Sequence, residues 1–435
     1  MNPFIQRLNI TYFAGNLSEA VCQQLGMLAN ERTEVHVFFE RMCRFMATGR
    51  FPASAFTTHL AALIGTTVPK ILPSAWGGMI PPDVTPARQS LGDTYLTCNP
   101  WMTLRGEGTL LEIVSGFPPL LNVETAQRFP SWRVIGVDPT LGQYIVYDAR
   151  GNYVVFDSSG KLQYFQVDSS NPTQWQAFLA NPTAPHTHLM ELMQQLLKRL
   201  PTSGLAPSAA AKTADASVGL HPLGQYGLPN LSLAQERFGT LVIHDVDIIR
   251  CFNVLVYYDQ PFRQQCVAWA ASVLKPGALL LCGVNWVKGL ESRYTVYRKE
   301  MQGEAQLVEK EFSFGIDNLR SYTGILAWYA LHDDDYETNR LAQLVGMIRR
   351  DTAFCREFDH RLDALLNEHA LFRRDQYGYL FFAAAELSAE EIMERQARVC
   401  QQLDQEGYVE RAVTVLQQAG LLAWRNCVGH ISVGH

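Results

Sequence analysis

Neither sign of charge is in large excess in this 435-residue chain, since 36 Lys and Arg face 42 Asp and Glu. The net charge of −6 excludes the broad basic field that phosphate backbones require, so nucleic acid is not an expected partner. Long apolar runs are also missing, because no stretch reaches the ~18 residues typical of a membrane-spanning helix. The first residues, MNPFIQRLNITYFAGNL, lack the apolar region and cleavage site of a signal peptide. These absences predict a cytoplasmic protein without a membrane partner.

Motifs for several common chemistries are missing as well. The nine cysteines are scattered and none form a C-x-x-C pair, so neither a zinc knuckle nor a redox motif is indicated. Buried free thiols in a reducing compartment are their expected state. No G-x-S-x-G, P-loop or H-E-x-x-H sequence occurs, so the common signatures of hydrolases, NTPases and zinc proteases are absent. His186–His188 and His332–Asp335 are interpreted as loops, and no metal site is predicted.

Apolar residues, in contrast, are plentiful. They make up 47% of the chain against 18% charged residues, enough for a large core in about two or three units. Apolar spacings of three and four residues predict helices early in the chain, and residues 1–98 are interpreted as a helical N-terminal cap. Residues 99–435 are predicted to form one α/β core. Two insertions interrupt this core: 141–238, with a β-meander, a helix and a loop, and 287–404, a substrate cap.

A strand, a turn, a helix, a strand and an acid follow one another after residue 108. Thr109–Val114 and Trp132–Val137 are short apolar runs typical of buried strands, and Leu120–Phe129 between them is a predicted helix. Asp138 lies 22 residues after Gly116. That is close to the spacing of about 20 typical of an acid that binds ribose hydroxyls. This order predicts the opening of a doubly wound sheet.

The second half of the chain supplies further elements of the same kind. Apolar runs predict strands, three- and four-residue spacings predict helices, and Gly420 is a helix stop. In chain order they are strands at Leu241–Ile243, Asp247–Val256 and Ala278–Cys282, helices at Gln260–Leu274 and Val409–Ala419, and two short strands around Asn426–Gly429.

Four segments together resemble class I methyltransferases that depend on S-adenosylmethionine (SAM). The first, LEIVSGFP at 111–118, is similar to the family pattern E-x-G-x-G-x-G, with Val114 and Pro118 where the family has glycine. The second, DIIRCFNVLVYYD at 247–259, is particularly similar to the fourth-strand region of chemotaxis-receptor methyltransferases. The third and fourth, LKPGALLLCG at 274–283 and LLAWRNCVGHISV at 421–433, resemble the fifth strand and the closing strand pair. The resemblance covers about 100–140, 240–285 and 405–435, less than half of the chain.

The resemblance implies a Rossmann-like core, a mostly parallel sheet with an antiparallel last strand. This core would bind SAM and release S-adenosylhomocysteine (SAH). Asp138 would hold the ribose hydroxyls, and Asn253 would face cofactor and substrate as the catalytic residue. The implied cofactor-binding residues are Glu112, Ser115, Gly116, Phe117, Asp138, Pro139, Arg250, Phe252 and Asn253. Ligands of open α/β sheets bind beyond the carboxyl ends of the strands, so residues there are candidates for substrate contact. They are Tyr257, Tyr258, Asn285 and Trp286.

The expected function is therefore methyl transfer to a small molecule, such as a secondary-metabolism intermediate, held under the cap. A homodimer is compatible with this interpretation. Two alternatives stay open: a catalytically silent methyltransferase fold that serves as a scaffold, which Val114 and Pro118 favour, and an NAD(P)-dependent oxidoreductase, which shares the strand–turn–helix–strand–acid order. His430, between the last two strands, is either a base that reaches the substrate or a structural histidine.

Overall fold

The computed structural model describes part of the chain, and all structural statements below concern that part. The described residues are 87–98, 106–113, 119–138, 144–148, 153–156, 162–166, 191, 210–212, 216–220, 226–236, 238–255, 258, 260–286, 291–302, 304–319, 336–374, 380–382 and 389–434. The helices predicted before residue 87 and most of the 188–216 segment lie outside these ranges.

Sixteen strands and seven helices are found in the described residues. The strands are β1 (Gly108–Ile113), β2 (Trp132–Val137), β3 (Tyr144–Asp148), β4 (Tyr153–Phe156), β5 (Leu162–Gln166), β6 (Ala210–Lys212), β7 (Ala216–Leu220), β8 (Leu231–Ala234), β9 (Val246–Phe252), β10 (Leu274–Trp286), β11 (Glu291–Gln302), β12 (Glu304–Phe314), β13 (Phe372–Arg374), β14 (Leu380–Phe382), β15 (Leu422–Arg425) and β16 (Ile431–Gly434). The helices are α1 (Ala87–Cys98), α2 (Leu120–Arg128), α3 (Gln260–Val273), α4 (Tyr336–Ile348), α5 (Thr352–Glu368), α6 (Ala389–Gln405) and α7 (Tyr408–Gln418). A short 3₁₀ helix, Ile316–Leu319, follows β12.

The chain divides into two compact units. The first combines residues 1–82, 140–226 and 326–331, and its described part is an antiparallel five-stranded sheet in the order β5-β4-β3-β7-β6. The meander expected from alternating apolar residues is thus confirmed as β3, β4 and β5. The second unit combines residues 83–139, 227–325 and 332–435 and holds a nine-stranded sheet. Helix α1, predicted as part of the N-terminal cap, belongs to this second unit.

The nine-stranded sheet has the order β8-β2-β1-β9-β10-β11-β12-β16-β15. Its first five strands are parallel, and every later neighbour pairs antiparallel. Strand β9, VDIIRCF, is buried along its whole length, because a parallel strand with helices on both faces needs apolar residues on both. The α/β fold that the sequence predicts is therefore present, but the sheet is mixed, with four antiparallel pairs where only the last strand was expected to be antiparallel.

Helices cover both faces of the parallel strands. Side chains alternate between the faces of a strand, so residues 248, 250 and 252 of β9 share one face and 251 lies on the other. On the first face, Tyr95 and Leu96 of α1 pack with Ile248 and Leu281 in one apolar cluster. On the second face, α3 packs against β10 and β12.

Two sequence predictions about the sheet need correction, and a third is confirmed. Leu241–Ile243 is not a strand; the third parallel strand is β8, which is short and half-exposed and so carries no clear apolar signal. Strands β11 and β12 arise from the segment predicted as a substrate cap, and they join the sheet beside β10. The closing pair β15–β16 forms as predicted but lies beyond this hairpin, next to β12.

One disulfide links two distant parts of the second unit. Cys98 ends α1, Cys427 lies in the turn between β15 and β16, and their Cα atoms are 6.0 Å apart. The expectation of free thiols is therefore wrong for these two residues. The described cysteines that are free are Cys251, Cys266, Cys282, Cys355 and Cys400. Among the described helices, none has the length and apolar character needed to cross a membrane.

Candidate functional site

The carboxyl edge of the parallel strands is the natural place for a ligand in this sheet. From β1 the chain continues to β2 on one side, and after β8 it crosses to β9 on the other side. Open α/β sheets bind ligands where the strand order reverses in this way, outside the carboxyl ends of the strands. The crevice between the ends of β1 and β9, with the end of β2 beside it, is therefore the candidate site. We call it the switch-point crevice.

Asp138 stands at this edge, directly after β2. Its backbone N–H donates to the carbonyl of Ala234 at 3.1 Å, which ties the end of β2 to the end of β8. The residue is only 2% exposed, so its carboxyl lies within the fold. A buried carboxylate needs hydrogen-bond donors, and an acceptor-only group suits a ligand that carries hydroxyls.

Glu112 and Arg250 form a fully buried ion pair beneath the switch-point crevice. They are register partners on β1 and β9, and the Arg250 Nε contacts the Glu112 Oε2. The Arg250 Nη2 also donates to the Thr125 Oγ1 of α2 at 2.7 Å. Both side chains are 0% exposed, so the pair joins β1, β9 and α2 from within. Their predicted contact with a cofactor stays a prediction, whereas their contact with each other is shown.

Helix α1 lies closely over the end of β9. A Cβ at Gly92 would be 3.1 Å from the side chains of both Arg250 and Phe252, closer than most real Cβ contacts. The missing side chain at Gly92 thus allows α1 to approach the strand. Phe252, a predicted cofactor contact, is fully buried under this helix. The helix therefore shields the β9 side of the crevice from water.

Asn253 and Asn285, predicted for cofactor and substrate, contact each other directly. The Asn253 Oδ1 accepts from the backbone N–H of Asn285 at 2.8 Å, and its Nδ2 donates to the Asn285 carbonyl at 3.2 Å. Asn253 has φ of +55°, a left-handed conformation that asparagine tolerates better than most residues. Such backbone conformations are concentrated at functional sites. The Asn253 side chain thus locks the ends of β9 and β10 together.

Asn122, which the sequence analysis did not single out, is a buried polar residue that packs on β2. It lies in the first turn of α2 and is 0% exposed, yet neither its Nδ2 nor its Oδ1 has a hydrogen-bond partner among the described residues. A Cβ at Gly136 would lie 2.6 Å from the Asn122 Nδ2, so the amide packs directly over this glycine. The only sequence signal is a polar residue in the apolar stretch Leu120–Val123.

Only some of the other predicted site residues lie within the described residues. Ser115, Gly116, Phe117, Pro139 and Tyr257 lie outside the described residues, as do Val114 and Pro118. Trp286 is the last residue of β10. Tyr258 is half-buried, and its ring stacks on Phe262 of α3 at a centroid distance of 4.2 Å.

His430 belongs to a buried polar cluster on the antiparallel half of the sheet. Its Nδ1 lies 3.2 Å from the Ser313 Oγ and its Nε2 3.4 Å from the Ser292 Oγ. Beside it, Asn426 donates to Glu311 and to the Tyr294 hydroxyl. Burial lowers the pKa of His430 to about 3, so the imidazole is neutral and a weak base at neutral pH. Of the two sequence interpretations, these contacts favour the structural one.

A cavity of 380 Å³ lies on the second face of the sheet, between α3 and the β10–β12 strands. Its walls are largely apolar, with the Arg263–Glu337 ion pair at 3.4 Å as the main charged feature. None of the site residues predicted from the sequence is among its lining residues. Within the described residues, no three His, Cys, Asp or Glu side chains are grouped so as to hold a metal ion.

No family model matches the chain, and no curated protein sequence matches it.

Proposed function

We propose that this protein is a SAM-dependent methyltransferase that acts on a small molecule. The observation that carries the proposal is the sheet order, with Asp138 at the end of the strand next to β1. Numbered by their order in the chain, the five parallel strands read 3-2-1-4-5. That order is typical of doubly wound folds that bind a ribose-containing ligand at the switch point, with an acid after the second strand. A Rossmann-like core is part of this proposal.

The residues at the crevice fit such a ligand. Asp138 is a buried acceptor for ribose hydroxyls, and Asn122 offers buried amide atoms over Gly136, two residues before it. Glu112 and Arg250 hold β1 and β9 at a fixed spacing and so act as positioning residues. By the family resemblance, Ser115, Gly116 and Phe117 would line the methionine part, with Pro139 beside the ribose.

The chain's own contribution to catalysis would then be alignment and exclusion of water. Bound SAM supplies a methyl group that its sulfonium already activates, so no strong acid–base pair is required from the protein. Asn253 fixes the ends of β9 and β10, where Tyr257, Tyr258, Asn285 and Trp286 are the candidates for acceptor contact. Helix α1 covers the β9 side of the switch-point crevice. Holding two reactants in a fixed orientation by itself accelerates a reaction greatly.

The direction of the sixth strand favours a methyltransferase over a dinucleotide-dependent oxidoreductase. Beyond β10 the sheet turns antiparallel at β11, whereas the dinucleotide-binding order continues with a sixth strand of a second parallel half. The oxidoreductase and the silent scaffold are therefore the outcomes that a binding test must separate.

Calorimetry with SAH, SAM and NADH tests the proposal. We expect both SAH and SAM to bind. Asp138→Asn should lower the affinity for SAH about 10- to 100-fold, because a hydrogen bond to a charged group contributes about 1.5–3 kcal/mol. Asp247→Asn is the matched control. Asp247 is also buried, but it lies at the amino edge, where it accepts from Thr109 N at 2.9 Å and pairs with Lys275 at 2.8 Å. The control should lower stability and leave SAH affinity unchanged.

The alternatives have distinct results. Binding of NADH without SAH would assign an oxidoreductase. If none of the three ligands binds up to high micromolar concentration, the methyltransferase proposal is wrong and the silent scaffold is the remaining alternative.

A further inference from the structure

The amide of Asn122 is anomalous in its surroundings. Asparagine is seldom fully buried, and buried polar side chains nearly always have hydrogen-bond partners. Asn122 is 0% exposed, and both polar atoms of its side chain lack a partner among the described residues. Leaving a buried amide unbonded costs free energy comparable to a lost hydrogen bond. A ligand with hydrogen-bonding groups would offset that cost by supplying the partners that the described residues lack.

The position of Asn122 indicates which ligand. Its amide packs over Gly136, which is paired in register with Glu112 on β1. Gly136 lies on β2 and Asp138 follows directly after the strand, so continued alternation would put both on one face of the sheet at a spacing of roughly 7 Å. The amide of Asn122 and the carboxyl of Asp138 therefore flank the same stretch of β2, at the edge where a ribose is expected.

The start of α2 is consistent with a ligand in this place. Its N-cap is Pro119, and no side chain caps the helix. The first N–H groups of a helix have no partner within the helix and need one outside it. Asn122 lies in this same turn, so backbone donors and a side chain that both donates and accepts are combined at the start of α2.

We propose that Asn122 is a ligand-contact residue of the switch-point crevice and binds the nucleoside part of the ligand together with Asp138. Its Nδ2 donates to, and its Oδ1 accepts from, a ribose hydroxyl or the adjoining base, groups that carry both donors and acceptors. Gly136 is glycine because any side chain there would displace this amide. The inference rests on the proposed function for the identity of SAM, and it extends to any adenine nucleoside ligand at this site.

The test compares ligand affinity with the stability of the ligand-free protein in two variants, Asn122→Leu and Asn122→Ala. Loss of the two hydrogen bonds between the Asn122 amide and the ligand should lower the affinity for SAH about tenfold, as measured by calorimetry. The melting midpoint of the ligand-free Asn122→Leu protein should stay within about 1 °C of wild type or rise, because an unbonded amide is removed. If the leucine variant does not fold, the same comparison is made with Asn122→Ala, whose smaller side chain cannot crowd Gly136.

Asn426→Leu is the matched control, since Asn426 is also a buried asparagine. Its Nδ2 donates to Tyr294 at 2.7 Å and to Glu311 at 2.8 Å, and its Oδ1 accepts from two backbone N–H groups. This variant should lower the melting midpoint clearly and leave SAH affinity unchanged. The two asparagines are thus expected to respond in opposite ways.

The outcomes separate this inference from the proposed function. If the wild-type protein binds NADH and not SAH, the proposed methyltransferase function is wrong. Asn122→Leu should then still lower the affinity for NADH about tenfold. If the Asn122 variants melt several degrees lower and keep wild-type affinity, Asn122 is a structural residue and the inference fails. It fails equally if wild type binds neither nucleoside ligand.

Discussion

Loss of one partner of the Glu112–Arg250 pair should be among the most destabilising single changes in the sheet. Both side chains are 0% exposed, and Arg250 also donates to Thr125 at 2.7 Å. Glu112→Gln leaves the guanidinium buried with a neutral partner in place of its carboxylate. Breaking a buried pair in this way costs about 3–5 kcal/mol, a large share of the ~5–15 kcal/mol that stabilises a typical domain.

Hydrogen exchange of the β9 amides is the suitable assay, because it reports the opening free energy of this sheet separately from the other unit. Glu112→Gln should lower that opening free energy by about 3–5 kcal/mol. The double variant Glu112→Leu/Arg250→Met should recover most of the loss, since apolar residues of similar size often replace a buried pair at little cost. Glu394→Gln is the control, because the Glu394–Arg398 pair on α6 is more than half exposed and such pairs contribute about 0.5 kcal/mol or less.

Two results would refute this reasoning. A loss below about 1 kcal/mol in Glu112→Gln would mean that water reaches the pair and solvates the remaining charge. A double variant as unstable as the sum of its single changes would mean that the two side chains contribute through packing with other neighbours and not through each other.

Two further predictions concern the β15–β16 hairpin. Peptide mapping without reductant should recover Cys98 and Cys427 as one linked pair, and Cys98→Ser/Cys427→Ser should lose about 2–5 kcal/mol of stability, because 329 residues separate the cysteines; an unlinked pair in protein purified with thiols blocked would contradict this. Burial lowers the pKa of His430 to about 3, below about 6.5 in the unfolded chain, so its contribution to stability is complete above pH 6.5 and falls as the unfolded state binds a proton below it. Between pH 7.5 and 5.5, wild type should therefore lose about 1.4 kcal/mol more than His430→Gln in urea unfolding, and equal losses would show that His430 titrates normally.

The sequence predicted those elements whose signal is local. The strands around Leu110 and Ile248 are short, mostly apolar segments, and Gly420, with φ of +86°, stops α7 where a glycine was expected to. The position of Asp138 directly after β2 followed from the apolar run Trp132–Val137. Strand β8 could not be predicted, because its four residues are half-exposed and gain their structure from pairing with β2.

Contacts between distant residues were out of reach for a different reason. Glu112 and Arg250 are 138 residues apart, and each was interpreted as a ligand contact because nothing in the sequence indicates that strands β1 and β9 pair in that register. The same holds for Cys98 and Cys427, whose separation gives no sign of a bond. The burial of Asn122 depends on Gly136 fourteen residues later, and it becomes visible only once α2 lies over β2.

The insertion of the β11–β12 hairpin into the sheet has a consequence for association between molecules. The three longest strands, of 13, 12 and 11 residues, all lie inside the sheet, and both outer strands, β8 and β15, have only four residues. An exposed edge strand is a template on which another chain can add a strand, and short edges are a common protection against this. The two outer strands are thus protected by their length, but β12 pairs with β16 only at Phe312–Phe314. Among the described residues, the outer side of the rest of β12 is therefore the longer open edge, and it is where a further strand could add.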